Sequence, residues 1–124
     1  MPVDFTFDHE NRLVIATAHG RVVLQEILDY FDAVTINEAA SYAKLFDARE
    51  MDAQLSDDDV MVIGARVSAY AAYDPRGAVA AVAVTTEARD AVRRYMNFSG
   101  AKRSMQLFTT VEDARAWLLG QSPA

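Results

Sequence analysis

The sequence contains no cysteine. This absence excludes disulfides, thiolate metal ligands and thiol nucleophiles together, and it fits a reducing compartment, so the cytoplasm is the expected location. The start, Met1 to Arg12, has neither the basic residues nor the apolar stretch of a signal peptide. The longest purely apolar run, Ala78 to Val84, is too short to cross a bilayer. We therefore expect no export by that route and no membrane span.

Basic residues are also scarce. Lysine and arginine together number 12 against 18 aspartates and glutamates, which gives a net charge of -6. Binding along a nucleic-acid backbone needs a surplus of basic side chains to neutralise phosphates. The composition therefore predicts that nucleic acid is not a partner.

Catalytic motifs are missing as well. No serine, histidine and aspartate have the spacing of a nucleophile elbow, and Gly77 and Gly100 stand alone without a phosphate-loop pattern. His9 and His19 are the only histidines. They are predicted at opposite ends of one strand, too far apart to share a metal ion. The sequence thus predicts a protein that is not an enzyme, with no cofactor and no metal.

What the sequence does have is enough apolar material for one core. It has 124 residues, of which 52% are hydrophobic, and no internal repeat or linker interrupts them. This composition predicts a single domain over residues 1–120. Residues 121–124 are expected to form a frayed C-terminal tail.

The hydrophobic pattern predicts the order β-β-α-β-α-β-α-β-α. Val3, Phe5 and Phe7 alternate with polar residues in a first strand, and Gly20 is predicted to end the hairpin that this strand forms with the second. The remaining predicted strands are Arg12–His19, Ala43–Asp47, Ala78–Thr85 and Ser104–Thr109. The predicted helices run from about Val22 to Thr35, Ser56 to Tyr73, Glu87 to Asn97, and from Val111 to a stop at Gly120.

Alternation of strands and helices favours right-handed crossovers and a mostly parallel sheet. The stretch Ala78–Thr85 is apolar on both faces, which is typical of a strand covered by helices on both sides. We therefore predict an α/β fold with a mostly parallel five-stranded sheet, an antiparallel N-terminal strand at or near an edge, and helices on both faces. Residues 74–77, Asp-Pro-Arg-Gly, predict a tight turn before the fourth strand.

The segments of this sequence resemble STAS-like domains, named for sulfate transporters and anti-sigma-factor antagonists, and uncharacterised bacterial proteins similar to them. The resemblance covers almost the whole chain and implies a SpoIIAA-like fold and a regulatory protein partner. None of the matching stretches is a catalytic motif. They are Arg12–Val14 through His19–Gly20, Lys44–Arg49, Pro75–Gly77, and Leu107–Thr110 followed by Ala114 and Trp117–Leu118.

Two interpretations of Ser56 are open. In antagonist members of the family, a partner kinase phosphorylates a serine at the start of the helix after the third strand, and the resemblance places Ser56 there. This sequence departs from the family pattern, with Leu55 in place of an acidic residue and Asp57-Asp58 in place of Ser-Gly. The spacing of Ser56 and Asp59 is also that of a helix-capping box, in which the serine is a structural N-cap. Thr110 and Asp113 repeat this spacing at the start of the last predicted helix.

Polar side chains follow the predicted strands at their carboxyl ends. They are His19, Asp47, Arg49, Thr85 and Thr86. Ligands of open α/β sheets bind at this edge, so these residues are a candidate crevice. The structural alternatives are a strand-end histidine, a salt bridge and a helix cap.

A local group of basic residues stands out in an acidic chain. Its members are Arg89, Arg93, Arg94, Lys102 and Arg103. They could hold an acidic partner or an anionic headgroup, or they could form a solvated helix end, where positive charge is favoured.

The second predicted helix is apolar nearly all round. Opposite its core stripe it carries Val62, Ala65, Ala69, Ala72 and Tyr73. A second apolar face of this kind indicates a surface that a partner covers. The alternative is that the alanines are exposed because alanine is a good helix former. The leading hypothesis is a non-enzymatic STAS-like interaction module, dimeric through this helix. The alternative is a small-molecule or lipid binder, in which the helix is a lid over an apolar cavity and the polar stretch from Ala48 to Leu55 is a loop that acts as its hinge.

Overall fold

The computed structural model describes residues 3–53, 55–73, 77–99 and 104–120. Within them the chain forms five strands and four helices in the predicted order. The strands are β1 Val3–Asp8, β2 Leu13–Val22, β3 Ala43–Ala53, β4 Val79–Val82 and β5 Met105–Phe108. The helices are α1 Leu24–Ile36, α2 Asp57–Tyr73, α3 Thr86–Ser99 and α4 Val111–Leu119. Residues 74–76, Gly100 and the predicted tail, 121–124, lie outside the described residues.

The sheet has the order β1-β2-β3-β4-β5. β1 pairs antiparallel with β2, and the other neighbouring pairs are parallel. The prediction of a mostly parallel sheet with an antiparallel first strand at one edge is therefore confirmed.

The strand order explains how the helices are divided between the two faces. Successive parallel strands step in one direction across the sheet, so right-handed crossovers carry α1, α2 and α3 over the same face. α4 follows the last strand and packs on the opposite face, where Ala114 and Trp117 join Leu45, Ala80 and Val82 in a separate core. β4 is thus apolar on both faces, as predicted.

The second and third strands are longer than the sequence predicted. Gly20 adopts a positive φ of 59° but does not end β2, which continues to Val22. The stretch from Ala48 to Ala53, predicted as a loop, is strand, because it pairs with residues 19–22 of β2. This stretch is polar, and polar residues are typical of a loop. In the described sheet β4 pairs with residues 44–47 of β3, so the rest of β3 is not covered by β4 and can carry polar side chains. Beyond that point β2 and β3 form a two-stranded ribbon.

A bulge begins this ribbon. Thr17 is paired with Asp47, whereas His19 is paired with Glu50, so β3 has one extra residue between the two pairs. Ala48 is fully buried at the bulge against Ala83 and Ala88. The bulge therefore anchors the start of the ribbon in the core while Glu50 and Asp52 remain exposed.

β4 is shorter than its predicted span, 78–85. After its last pair with β3, at Val82, the chain leaves the sheet, and Val84 is 53% exposed. Before β4, Gly77 has a φ of 92°. A Cβ atom at this position would overlap the carbonyl oxygens of Ser41 and Tyr42. Only glycine fits this close approach.

Candidate functional site

α2 begins at a capping box. The backbone amide of Asp59 donates to Oγ of Ser56 at 3.0 Å, and the amide of Ser56 donates to the Asp59 carboxylate at 3.1 Å. These two bonds satisfy amides that have no partner within the helix. Asp57, Asp58 and Asp59 place negative charge in the first turn, where the helix dipole stabilises it.

Buried aliphatic side chains and two ion pairs hold α2 in place. Val60, Ile63 and Val67 are buried. The guanidinium of Arg66 contacts the Asp32 carboxylate of α1 at 3.1 Å, and Arg94 of α3 pairs with Asp57. α2 is therefore attached to helices on both of its sides.

An apolar cavity lies between α1, α2, α3 and the sheet. Its volume is about 110 Å³. Its lining is aliphatic, aromatic and thioether, apart from Lys44, whose ammonium donates to the carbonyls of Ala40 and Tyr42 at 2.8 Å each. The lining residues are Ile27, Tyr30, Phe31, Lys44, Phe46, Met51, Leu55, Val60, Ile63, Val79, Ala81, Ala91, Val92, Tyr95 and Met105.

The outer face of α2 is apolar and exposed. Met61 is 53% exposed and Val62 is 45% exposed, and Ala65 and Ala69 beside them are also exposed. The side chains of Ala72 and Tyr73, which were predicted on the same face, lie outside the described residues. We call Met61, Val62, Ala65 and Ala69 the outer face of α2.

Met61 belongs to this face but was not among its predicted residues, although it is a large apolar residue one position before Val62. The cavity residues were not predicted as a group. They come from helices and strands far apart in the chain, and only the packing of α2 over the sheet brings them together.

Asp47 and Arg49 form a close pair within β3, rather than after it as predicted. The guanidinium of Arg49 donates to both carboxylate oxygens of Asp47, at 2.9 and 2.8 Å, and the Arg49 amide donates at 3.1 Å. Asp47 is buried, at 8% exposed. These hydrogen bonds lower the pKa of Asp47 below its ordinary value of 3.8, and they outweigh the opposing effect of burial.

His19 lies inside the ribbon and not at a strand end, which corrects the predicted position. Its ring is between two carboxylates, with Nε2 3.3 Å from Asp4 and Nδ1 3.4 Å from Glu50. His9 is remote from this group and contacts the hydroxyl of Tyr42 at 2.7 Å through Nδ1. His19 is thus a neighbour of the Asp47 and Arg49 pair across the β2–β3 ladder.

The two threonines after β4 serve a helix start. Oγ1 of Thr85 accepts from the amide of Ala88 at 3.2 Å, which makes Thr85 a cap of α3. Thr86 is exposed in the first turn of α3. The candidate crevice is therefore divided between a ribbon group, which contains His19, Asp47 and Arg49, and the start of α3.

The three arginines of the predicted basic patch that lie on α3 each have a partner. Arg89 donates to the carbonyl of Ala83 at 2.9 Å, Arg93 lies 3.7 Å from the Asp90 carboxylate, and Arg94 pairs with Asp57. Lys102 and Arg103 lie outside the described residues. These contacts make part of the patch a link between α3 and α2.

Among the described residues, no three histidine, aspartate or glutamate side chains are grouped so that they could hold a metal ion. None of the helices in this part of the chain has the length and apolar character that crossing a membrane requires.

Two crystal structures share this fold. An uncharacterised protein of the DUF3478 family with a SpoIIAA-like fold, from Shewanella loihica PV-4, is 18% identical, with a TM-score of 0.61 over 94% of this chain and 91% of that chain. An anti-sigma factor antagonist from Mycobacterium paratuberculosis is 14% identical, with a TM-score of 0.52 over 94% of each chain. No protein-family model and no curated protein matches the sequence. At these identities the comparisons show the fold, which is SpoIIAA-like, as the resemblance implied.

Proposed function

We propose that this protein is a non-enzymatic, STAS-like regulatory module that works in the cytoplasm and assembles as a homodimer through the outer face of α2. The observation that carries the proposal is the exposed apolar surface of Met61, Val62, Ala65 and Ala69. Contiguous apolar surface on a helix is characteristic of an interaction site. The likeness to an anti-sigma factor antagonist supports a regulatory role.

The charges beside this face favour a second copy as the occupant. Asp58 and Arg66 lie four residues before and four residues after Val62. In a two-fold symmetric pair of antiparallel α2 helices centred on Val62, Asp58 of each copy would face Arg66 of the other, with the apolar residues between them. Arg66 also contacts Asp32, and its five donors can serve two carboxylates.

Light scattering over a range of concentrations tests the dimer. The wild type should be a dimer, and Ala65→Glu should be a monomer, because it places two carboxylates in an apolar contact. Ala116→Glu is the matched control, since Ala116 is an exposed alanine on α4. A wild type that is monomeric at every concentration, or a dimer that Ala65→Glu leaves intact, would contradict the proposal.

Charge reversal tests the orientation of the helices. Asp58→Arg alone should weaken the dimer, since it places two positive charges together. The double variant Asp58→Arg with Arg66→Asp should restore it, because each pair regains opposite charges. If the double variant is no more dimeric than Asp58→Arg, the antiparallel arrangement is wrong.

A second candidate function is the binding of an apolar ligand beneath α2, with this helix as a lid. The cavity of about 110 Å³ favours it. The hinge suggested by the sequence is not a loop, because Ala48 to Ala53 is strand. If α2 opens as a lid, the ion pairs of Arg66 with Asp32 and of Asp57 with Arg94 must break. Native mass spectrometry of freshly purified protein should detect a bound apolar molecule. The absence of any such mass, together with no binding of apolar probes, would contradict this function.

A further inference from the structure

The size of the cavity defines a class of ligand. A second space of about 50 Å³ adjoins it and shares Tyr30, Phe31, Lys44, Val79 and Tyr95 with it. Drug-sized ligands occupy pockets of roughly 300–1,000 Å³, which is far larger. An engineered apolar cavity of about 150 Å³ stays dry and binds benzene. The space beneath α2 therefore matches one small ring and not an acyl chain or a sterol.

The lining defines the chemistry of that ligand. Lys44 is the one charged residue among the described residues that line the cavity, and its ammonium donates to two main-chain carbonyls. An ionised ligand would lose its hydration on entering such a site without an equivalent gain. The rings of Tyr30 and Phe46, whose centroids lie 5.9 Å apart, and the thioethers of Met51 and Met105 offer the contacts that aromatic molecules prefer.

We propose that the cavity beneath α2 binds an uncharged molecule with a single aromatic ring. This inference rests on the ligand-binding function proposed above and narrows it from small molecules and lipids to one class. The ring would lie beside Tyr30 and Phe46, whose side chains line the cavity. With α2 in the observed position, no outward movement of the helix is needed to hold it.

Methyl NMR of the methionines provides a direct test with toluene as the probe. Met51 and Met105 line the cavity, whereas Met61 lies on the outer face of α2. Met51 and Met105 lie at opposite ends of the lining, so one bound toluene molecule per chain should saturably shift the methyl signal of at least one of them and leave Met61 unchanged. Shifts confined to Met61, or no saturable shift at all, would overturn the proposal.

A cavity-filling substitution gives the second test. Ala91 lines the cavity and is buried, so Ala91→Leu should weaken toluene binding by at least about tenfold. Ala65→Leu, on the exposed side of α2, is the matched control and should bind as the wild type does. Ala81→Val makes a smaller change in the same cavity, so it serves if Ala91→Leu does not fold. Unchanged toluene binding by a folded cavity-filling variant would refute the site.

Dodecanoate separates this inference from the broader function. If dodecanoate shifts Met51 or Met105 and toluene does not, ligand binding stands and the inferred ligand class is wrong. If neither compound shifts them, both the class and the ligand-binding function are wrong. If toluene alone shifts them, both are supported.

Discussion

Ala88 and Ala91 offer a sharp comparison, because both are buried on α3 but only Ala91 lines the cavity. Leucine adds three carbon atoms. Burying them at Ala91 gains about 0.8 kcal/mol each, and ordering the side chain costs about 0.5–1 kcal/mol. The cavity provides about 110 Å³ for the new atoms. We therefore expect Ala91→Leu to raise the free energy of unfolding by about 1.5 kcal/mol.

The same substitution at Ala88 should have the opposite effect. Ala88 packs against Ala48 and Ala83 at the β3 bulge, and overpacking a filled core costs about 1–3 kcal/mol. Urea unfolding followed by circular dichroism would measure both variants, and Trp117, the single tryptophan, would report independently from the other face of the sheet. Equal destabilisation of Ala91→Leu and Ala88→Leu would contradict the presence of free space beside Ala91.

Three further predictions concern the strand edge, a turn and the helix starts. Because the pKa of Asp47 is lowered in the folded state, its contribution to stability is present above its ordinary pKa of 3.8 and is lost as pH falls below it. Arg49→Met should reduce this acid dependence in denaturant titrations at pH 2 to 6, and an unchanged pH profile would contradict the assignment. Gly77→Ala should lower the free energy of unfolding by about 2 kcal/mol or more. An unchanged free energy of unfolding would contradict the close approach of Gly77 to the carbonyls of Ser41 and Tyr42. Ser56→Ala and Thr110→Ala should each cost about 1 kcal/mol, with additive effects on Tm in thermal unfolding; a marked shortfall from additivity would mean that the two caps are coupled.

The sequence pattern predicted the fold well because each element has a strong local signal. Val3, Phe5 and Phe7 alternate as an edge strand should, and the paired signals of Ser56 with Asp59 and of Thr110 with Asp113 mark helix starts that the structure has. The ribbon was missed because Glu50 and Asp52 are polar, and their strand conformation comes from pairing with β2. Local sequence contains no information about that partner.

The candidate sites were only partly predictable for the same reason. The outer face of α2 depends on helical periodicity, which one segment supplies. The cavity depends on how far α2 stands from the sheet. That distance is a result of packing between α1, α2 and α3, and no single stretch of sequence determines it.

The spatial order of the strands has a consequence for how the chain reaches this structure. Within the described residues, each strand is hydrogen-bonded only to strands that are its neighbours in the sequence. No pairing has to wait for a distant segment, so the cost of closing loops stays low for a mostly parallel sheet. The sheet can grow by one strand and one helix at a time, beginning with the β1–β2 hairpin. During synthesis this order would let the N-terminal units assemble before β5 and α4 have left the ribosome.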